Sequence, residues 1–194
     1  MKNILVLLIL TTLPALSHAA EFGIAGAIGT SAELRLPIKI NNFVVEPYLS
    51  HLVSKQSEEG DVDNERSEDG VGIALWRLLD LNDNTYFQYG AQLGYQTTET
   101  KSGYLSFSES GESGSTYSEK LDGYVVAPGI GLFYAFNNQF EIGLEVKYRY
   151  TKLSGEQEST ISEYPDYTWT PESTLSVSET SSWLQSQAVV RLFF

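Results

Sequence analysis

The sequence contains no cysteine, which excludes both disulfides and the lipid-anchored N-terminus of a lipoprotein. Histidine is almost as scarce: there are two, and His18 falls within an N-terminal leader, leaving His51. Past that leader, no apolar run approaches the ~20 residues that a membrane-spanning helix requires. Basic residues are few, with 12 Lys and Arg against 25 Asp and Glu, for a net charge of −13. Nucleic acid demands a basic surface and is therefore not an expected partner. Gly23, Gly26 and Gly29 have G-x-x-G-x-x-G spacing, which is not a dinucleotide fingerprint and precedes no helix. Neither a cofactor nor a metal is expected.

Residues 1–19 have the layout of an export signal. Met1-Lys2-Asn3 is a short positive region, Ile4 to Leu10 is apolar, and Ser17-His18-Ala19 is a small-x-small cleavage site. Cleavage after Ala19 would leave residues 20–194 as one domain with 11 basic and 25 acidic residues, net −14. An exported chain without an apolar helix can occupy a membrane only as a closed barrel, because lipid tolerates no unpaired strand edge.

The rest of the chain has a period of two. Phe140, Ile142, Leu144, Val146, Tyr148 and Tyr150 alternate with Glu141, Gly143, Glu145, Lys147 and Arg149. A helix would scatter these charges around its circumference, whereas a strand separates them onto one face. Tyr124 to Phe136 alternates in the same way and connects through Asn137-Asn138, so the two strands form a hairpin. Phe87 to Gln96 places Gln88, Gln92 and Gln96 on one face and Phe87, Leu93 and Tyr95 on the other. The final strand sets Leu184, Ala188, Val190 and Leu192 against Gln185, Gln187 and Arg191, and the sequence stops on Phe194. Val71 to Leu79 is a strand of ambiguous facing, because Trp76 and Arg77 are adjacent. In Phe43 to Val53, Glu46 and Ser50 face inward, and Pro47 lacks a ladder donor and suits an irregularity. Phe22–Gly29 and Ser31–Lys39 are read as two strands joined at Gly29-Thr30, which brings the total to eight.

The connections alternate between short (Ile40–Asn42, Asp80–Asn84, Asn137–Asn138) and long (Ser54–Gly70, Thr98–Asp122, Thr151–Ser181). Val190-Arg-Leu-Phe-Phe194 and the Phe136–Tyr150 hairpin resemble the small eight-stranded outer-membrane barrels of Gram-negative bacteria, the opacity-type and OmpA/OmpX-type surface proteins. The resemblance implies an all-β closed antiparallel transmembrane β-barrel with short periplasmic turns and long acidic external loops. It also implies a cell outer-membrane location, reached through the periplasm, among outer-membrane lipid and lipopolysaccharide. Ala188, Val190, Leu192 and Phe194 are similar to the final-strand signal that barrel assembly machinery reads. Aromatic girdles are expected from Tyr95, Tyr148, Tyr150 and Trp183 at the outer rim and Phe87, Phe136, Phe140 and Phe194 at the inner one.

On this map the lumen receives Glu33, Glu46, Glu141 and Glu145 with Arg35, Lys39, Lys147, Arg149 and Arg191, four acids against five bases. Eight strands enclose a space just wide enough for side chains to fill, so buried charges there must pair. Glu46 is expected opposite Arg35 and Lys39 across the Ile40–Asn42 turn. The long connections carry eighteen acids and five bases. A non-enzymatic surface protein, structural or adhesive through acidic loops with a possible extracellular ligand, is the expected function. The aromatic segment Tyr164-Pro-Asp-Tyr-Thr-Trp169 is a candidate contact patch. The alternatives are a narrow channel and, since some small outer-membrane barrels are lipid A acylases or deacylases, a lipid A-modifying enzyme using His51. Ser50 points to the face opposite His51, so a nucleophile would have to come from a neighbouring strand.

Overall fold

The computed structural model describes residues 20–29, 31–56, 61–108, 111–163 and 170–194. The export-signal reading, on residues 1–19, and the aromatic segment 164–169 lie outside the described residues. The chain is all-β: β1 (Ala20–Gly29), β2 (Ala32–Arg35), β3 (Ile38–Ile40), β4 (Phe43–Gln56), β5 (Asp61–Asn82), β6 (Thr85–Ser108), β7 (Gly111–Asn137), β8 (Phe140–Glu163) and β9 (Thr170–Phe193). Every neighbouring pair is antiparallel, and β9 returns to pair with β1 from Gly23↔Phe193 to Gly29↔Gln187, which closes the barrel.

The nine described segments occupy eight wall positions, because β2 and β3 both lie between β1 and β4. Proline causes the break. The Pro47 carbonyl accepts from the Leu36 amide at 2.9 Å. Amide and carbonyl of a strand residue point to the same side, so the donor that Pro47 lacks is the one that would have bonded back to Leu36. Pro37 lacks its own donor on the opposite side, facing β1, where its carbonyl accepts from Gly23 at 2.9 Å. The irregularity expected at Pro47 is therefore shared between two strands.

At one end the turns are tight. Asn41 adopts φ 51°, in the left-handed region that Asn tolerates. The Asn137 side chain accepts from the amides of Gln139 and Phe140 at 2.8 and 2.9 Å, and Asn82 accepts from Asn84 at 3.0 Å.

At the other end the structure departs from the loop assignment. Ser54–Gly70, Thr98–Asp122 and Thr151–Ser181 continue mostly as paired strands, so β5 to β9 run 22, 24, 27, 24 and 24 residues. About 9–11 residues suffice to cross a bilayer, so most of each remaining length projects beyond one. Their Ser, Thr, Gly and Glu content reads as linker composition, yet neighbouring strands satisfy each other's backbone groups whatever the side chains are. Cross-strand pairs such as Lys120–Glu99 at 3.2 Å add to this.

The outward face is apolar, with Leu144 and Leu184 67% and 68% exposed, while Glu46, Lys147 and Arg191 are fully buried inside. Trp76 faces the lumen and Arg77 faces out over the Phe43 ring at 5.8 Å, which resolves the facing of β5. Outward aromatics bracket the apolar band: Tyr134, Phe136 and Phe140 pack at 5.0–5.2 Å near the turn end, and Tyr95 pairs with Tyr124 at the other. Trp183 departs from its expected place in a girdle. It shares the inward face of β9 with Gln185 and Gln187 and lies over Arg149, the ring centre 5.5 Å from the guanidinium carbon.

Candidate functional site

The lumen is filled by a layered polar network. Nearest the turns, Tyr86 donates to Glu141, Arg191 Nη1 donates to the Tyr86 hydroxyl at 3.0 Å, and Lys39 lies 3.4 Å from Glu141. Tyr86 stacks on Phe133 with centroids 5.4 Å apart, and the Arg191 guanidinium sits 4.0 Å above the Phe133 ring. Phe133 has room only because β8 carries Gly143 beside it: a Cβ there would overlap the ring. The lysine expected opposite Glu46 thus belongs to Glu141, on the far side of the barrel, because strand tilt carries Lys39 towards β8.

The middle layer is the most heavily charged. Glu46 accepts from Arg191 Nε at 2.7 Å, Trp76 Nε1 at 2.8 Å and Arg35 Nη1 at 3.2 Å. Glu145 takes Arg35 at 2.9 Å, Gln88 at 2.7 Å and Gln187 at 3.0 Å. Next, Glu33 binds Arg35 at 2.7 Å and Lys147 at 3.1 Å, and Lys147 also donates to Gln92 at 2.6 Å. Arg149 heads the outermost layer, donating to Gln96 at 2.6 Å, while Gln96 donates to Glu68 at 2.9 Å.

Every carboxylate in this set has at least two donors. That arrangement suits carboxylates removed from water, since an isolated one would cost several kcal/mol. The glutamines are the functional residues that charge alone did not single out. Gln88, Gln92 and Gln96 recur every fourth residue on β6; the first two extend ion pairs with a neutral bond, and Gln96 links Arg149 to Glu68. Their spacing on the inward face was the available signal.

The network reaches from wall to wall. Arg191 on β9 bonds Glu46 on β4 and Gln88 on β6 together. A recess of about 190 Å³ at the turn end, beside Lys39 and Glu141, is separated from one of about 30 Å³ near Arg149 by these crossing side chains. The arrangement can hold the barrel rigid and block a water column.

The other sequence candidates lie on the outer surface. Ala188, Val190, Leu192 and Phe194 all point outward from β9. His51 also faces out, and its Nδ1 lies 2.7 Å from Asp69 Oδ1, both side chains being mostly exposed. Ser50 points inward and plays no part in that pair.

The chain matches no protein-family model and no curated protein. Solved structures share its architecture. A major outer membrane protein from Thermus thermophilus superposes with a TM-score of 0.56 at 11% identity, covering 90% of this chain and all of that one. The CymD monoaromatic hydrocarbon channel gives 0.50 at 14% identity over 92% of this chain and 57% of its own. Acinetobacter baumannii CarO gives 0.49 at 12% identity over 89% and 97%. The fold is that of the small outer-membrane β-barrels.

Proposed function

We propose that this is a non-enzymatic outer-membrane surface protein, structural or adhesive, which acts through its projecting acidic strands. In this reading the chain is exported through the periplasm. Barrel assembly machinery recognises Ala188, Val190, Leu192 and Phe194, and the tight turns remain periplasmic. The observation that carries it is the division of labour along each long strand: a short apolar-faced part brackets a plugged lumen, and the remainder stands outside. A filled interior leaves the outer extensions as the surface on which a partner can act. Their excess of carboxylates suits divalent-cation bridges to lipopolysaccharide phosphates or a basic extracellular ligand. The test compares cells lacking the protein with cells expressing either the full chain or a variant with β5 to β9 shortened to the membrane boundary. Loss of surface attachment with the shortened variant supports the reading, and equal attachment by both overturns it.

One observation favours a second reading. Asp69 is placed to orient the His51 ring as an acid orients a general base, and among the described residues Nε2 has no hydrogen bond. Among the described residues, however, no serine or threonine hydroxyl is bonded to that ring, and a hydrolase needs one. The lipid A profile of cells expressing His51→Ala decides between the two.

A further inference from the structure

Arg149 differs from the other lumen bases. Arg35, Lys39, Lys147 and Arg191 each lie within 4.0 Å of a carboxylate, whereas among the described residues Arg149 has no such partner. Glu68, partly buried beside it, reaches Arg149 only through Gln96. Arg149 Nε is buried without a hydrogen-bond partner, and so is Gln185 Oε1. Two unsatisfied polar atoms on nine-tenths-buried side chains cost free energy unless something binds them.

Both residues line the recess of about 30 Å³, together with Ser31, His51, Glu68 and Trp183. A volume of ~10–15 Å³ holds one water, so the recess accepts the oxygens of an oxyanion but not a whole ligand. Glu68, the acid at its edge, is already held by Arg66 at 3.0 Å and Gln96 at 2.9 Å. Trp183 covers one guanidinium face, and the recess meets Arg149 beside it.

The way in is lateral. β1 pairs with β9 only as far as Gly29↔Gln187, and β2 pairs with β4 only as far as Ala32↔His51. Beyond that hairpin no described residue pairs between β9 and β4, and the wall has a notch at Ser31. Its flanks are His51 on β4 and Gln187 on β9.

We propose that Arg149 anchors a site for a phosphate-type oxyanion, which enters sideways through the notch above the β1–β2 hairpin. Such an anion gives the Arg149 guanidinium the counter-charge that no described carboxylate within 4.0 Å supplies. A phosphate hydroxyl can donate to Gln185 Oε1. The anion can come from a lipid headgroup or from free solution, and the experiment separates these.

Detergent-solubilised protein is titrated calorimetrically with inorganic phosphate, and separately with micelles containing phosphatidic acid, then examined by native mass spectrometry. The expected result is saturable one-to-one binding of at least one probe, weakened about tenfold or more in Arg149→Gln. Ser31→Trp fills the notch while leaving Arg149 in place, and is expected to weaken binding as well. Phosphatidic acid retained in preference to phosphate identifies a headgroup site, and phosphate binding alone identifies a soluble anion. Absence of saturable binding by either probe, meaning a recess that holds water only, overturns the proposal. Wild-type binding by Arg149→Gln also overturns it, and if that variant does not fold, wild-type binding by Ser31→Trp does so instead.

Discussion

Arg191 Nε on the last strand lies 2.7 Å from Glu46 Oε1 on β4, across 145 positions of sequence. Glu46 simultaneously accepts from Arg35 and Trp76, so one buried carboxylate ties separate strands together. Replacing it leaves two buried guanidinium groups short of a counter-charge. Glu46→Ala is expected to destabilise the barrel by about 3–5 kcal/mol. Urea titration of protein folded in lipid vesicles, followed by the gel-mobility difference between heated and unheated samples, measures the loss. A change under about 1 kcal/mol, the size of a surface pair, would show that the pair does not hold the lumen.

Gly143 supplies a second, purely steric test. A methyl group at this position meets the Phe133 ring, which is wedged between Tyr86 and Arg191. Gly143→Ala is expected to cost about 1–3 kcal/mol through overpacking, and Gly143→Ala with Phe133→Leu less than the single change. Equal destabilisation in the single and double variants would mean the ring is not the obstacle.

Phe194 is 81% exposed on the outer face of the final strand, so it adds little to interior packing. Phe194→Ala is therefore expected to lower the amount of protein reaching the outer membrane while hardly changing the urea midpoint of protein folded in vitro. Normal membrane levels of the variant would remove the assembly role.

Much of this architecture is legible in the sequence because lipid and lumen are chemically distinct. Phe140 to Tyr150 alternates without exception, and all nine ionisable residues assigned to the interior point inward. Pairing within the interior is not legible, since it depends on strand tilt. Lys39 meets Glu141, 102 residues away, and not the nearby Glu46. The strand extensions escape sequence reading for a different reason. Outside the membrane neither face needs to be apolar, so Thr98 to Asp122 shows no consistent alternation even though its described residues are paired. Trp183 illustrates a conflict between two signals: its parity places it beside Gln185 in the lumen, while its aromatic character suggested the girdle.

The central claim is that the interior is a plug of ion pairs and that the protein acts from its outer surface. Steady-state ion conductance of the purified wild-type barrel in a planar lipid bilayer tests this most directly. Crossing side chains such as Arg191, bonded to both Glu46 and Gln88, stand in the path of a water column. The account predicts no sustained current from the wild type and measurable openings only when the network is cut, as in a double replacement of Arg35 and Arg191 by alanine. A stable, porin-like current from the wild-type protein would contradict it and make the barrel a channel.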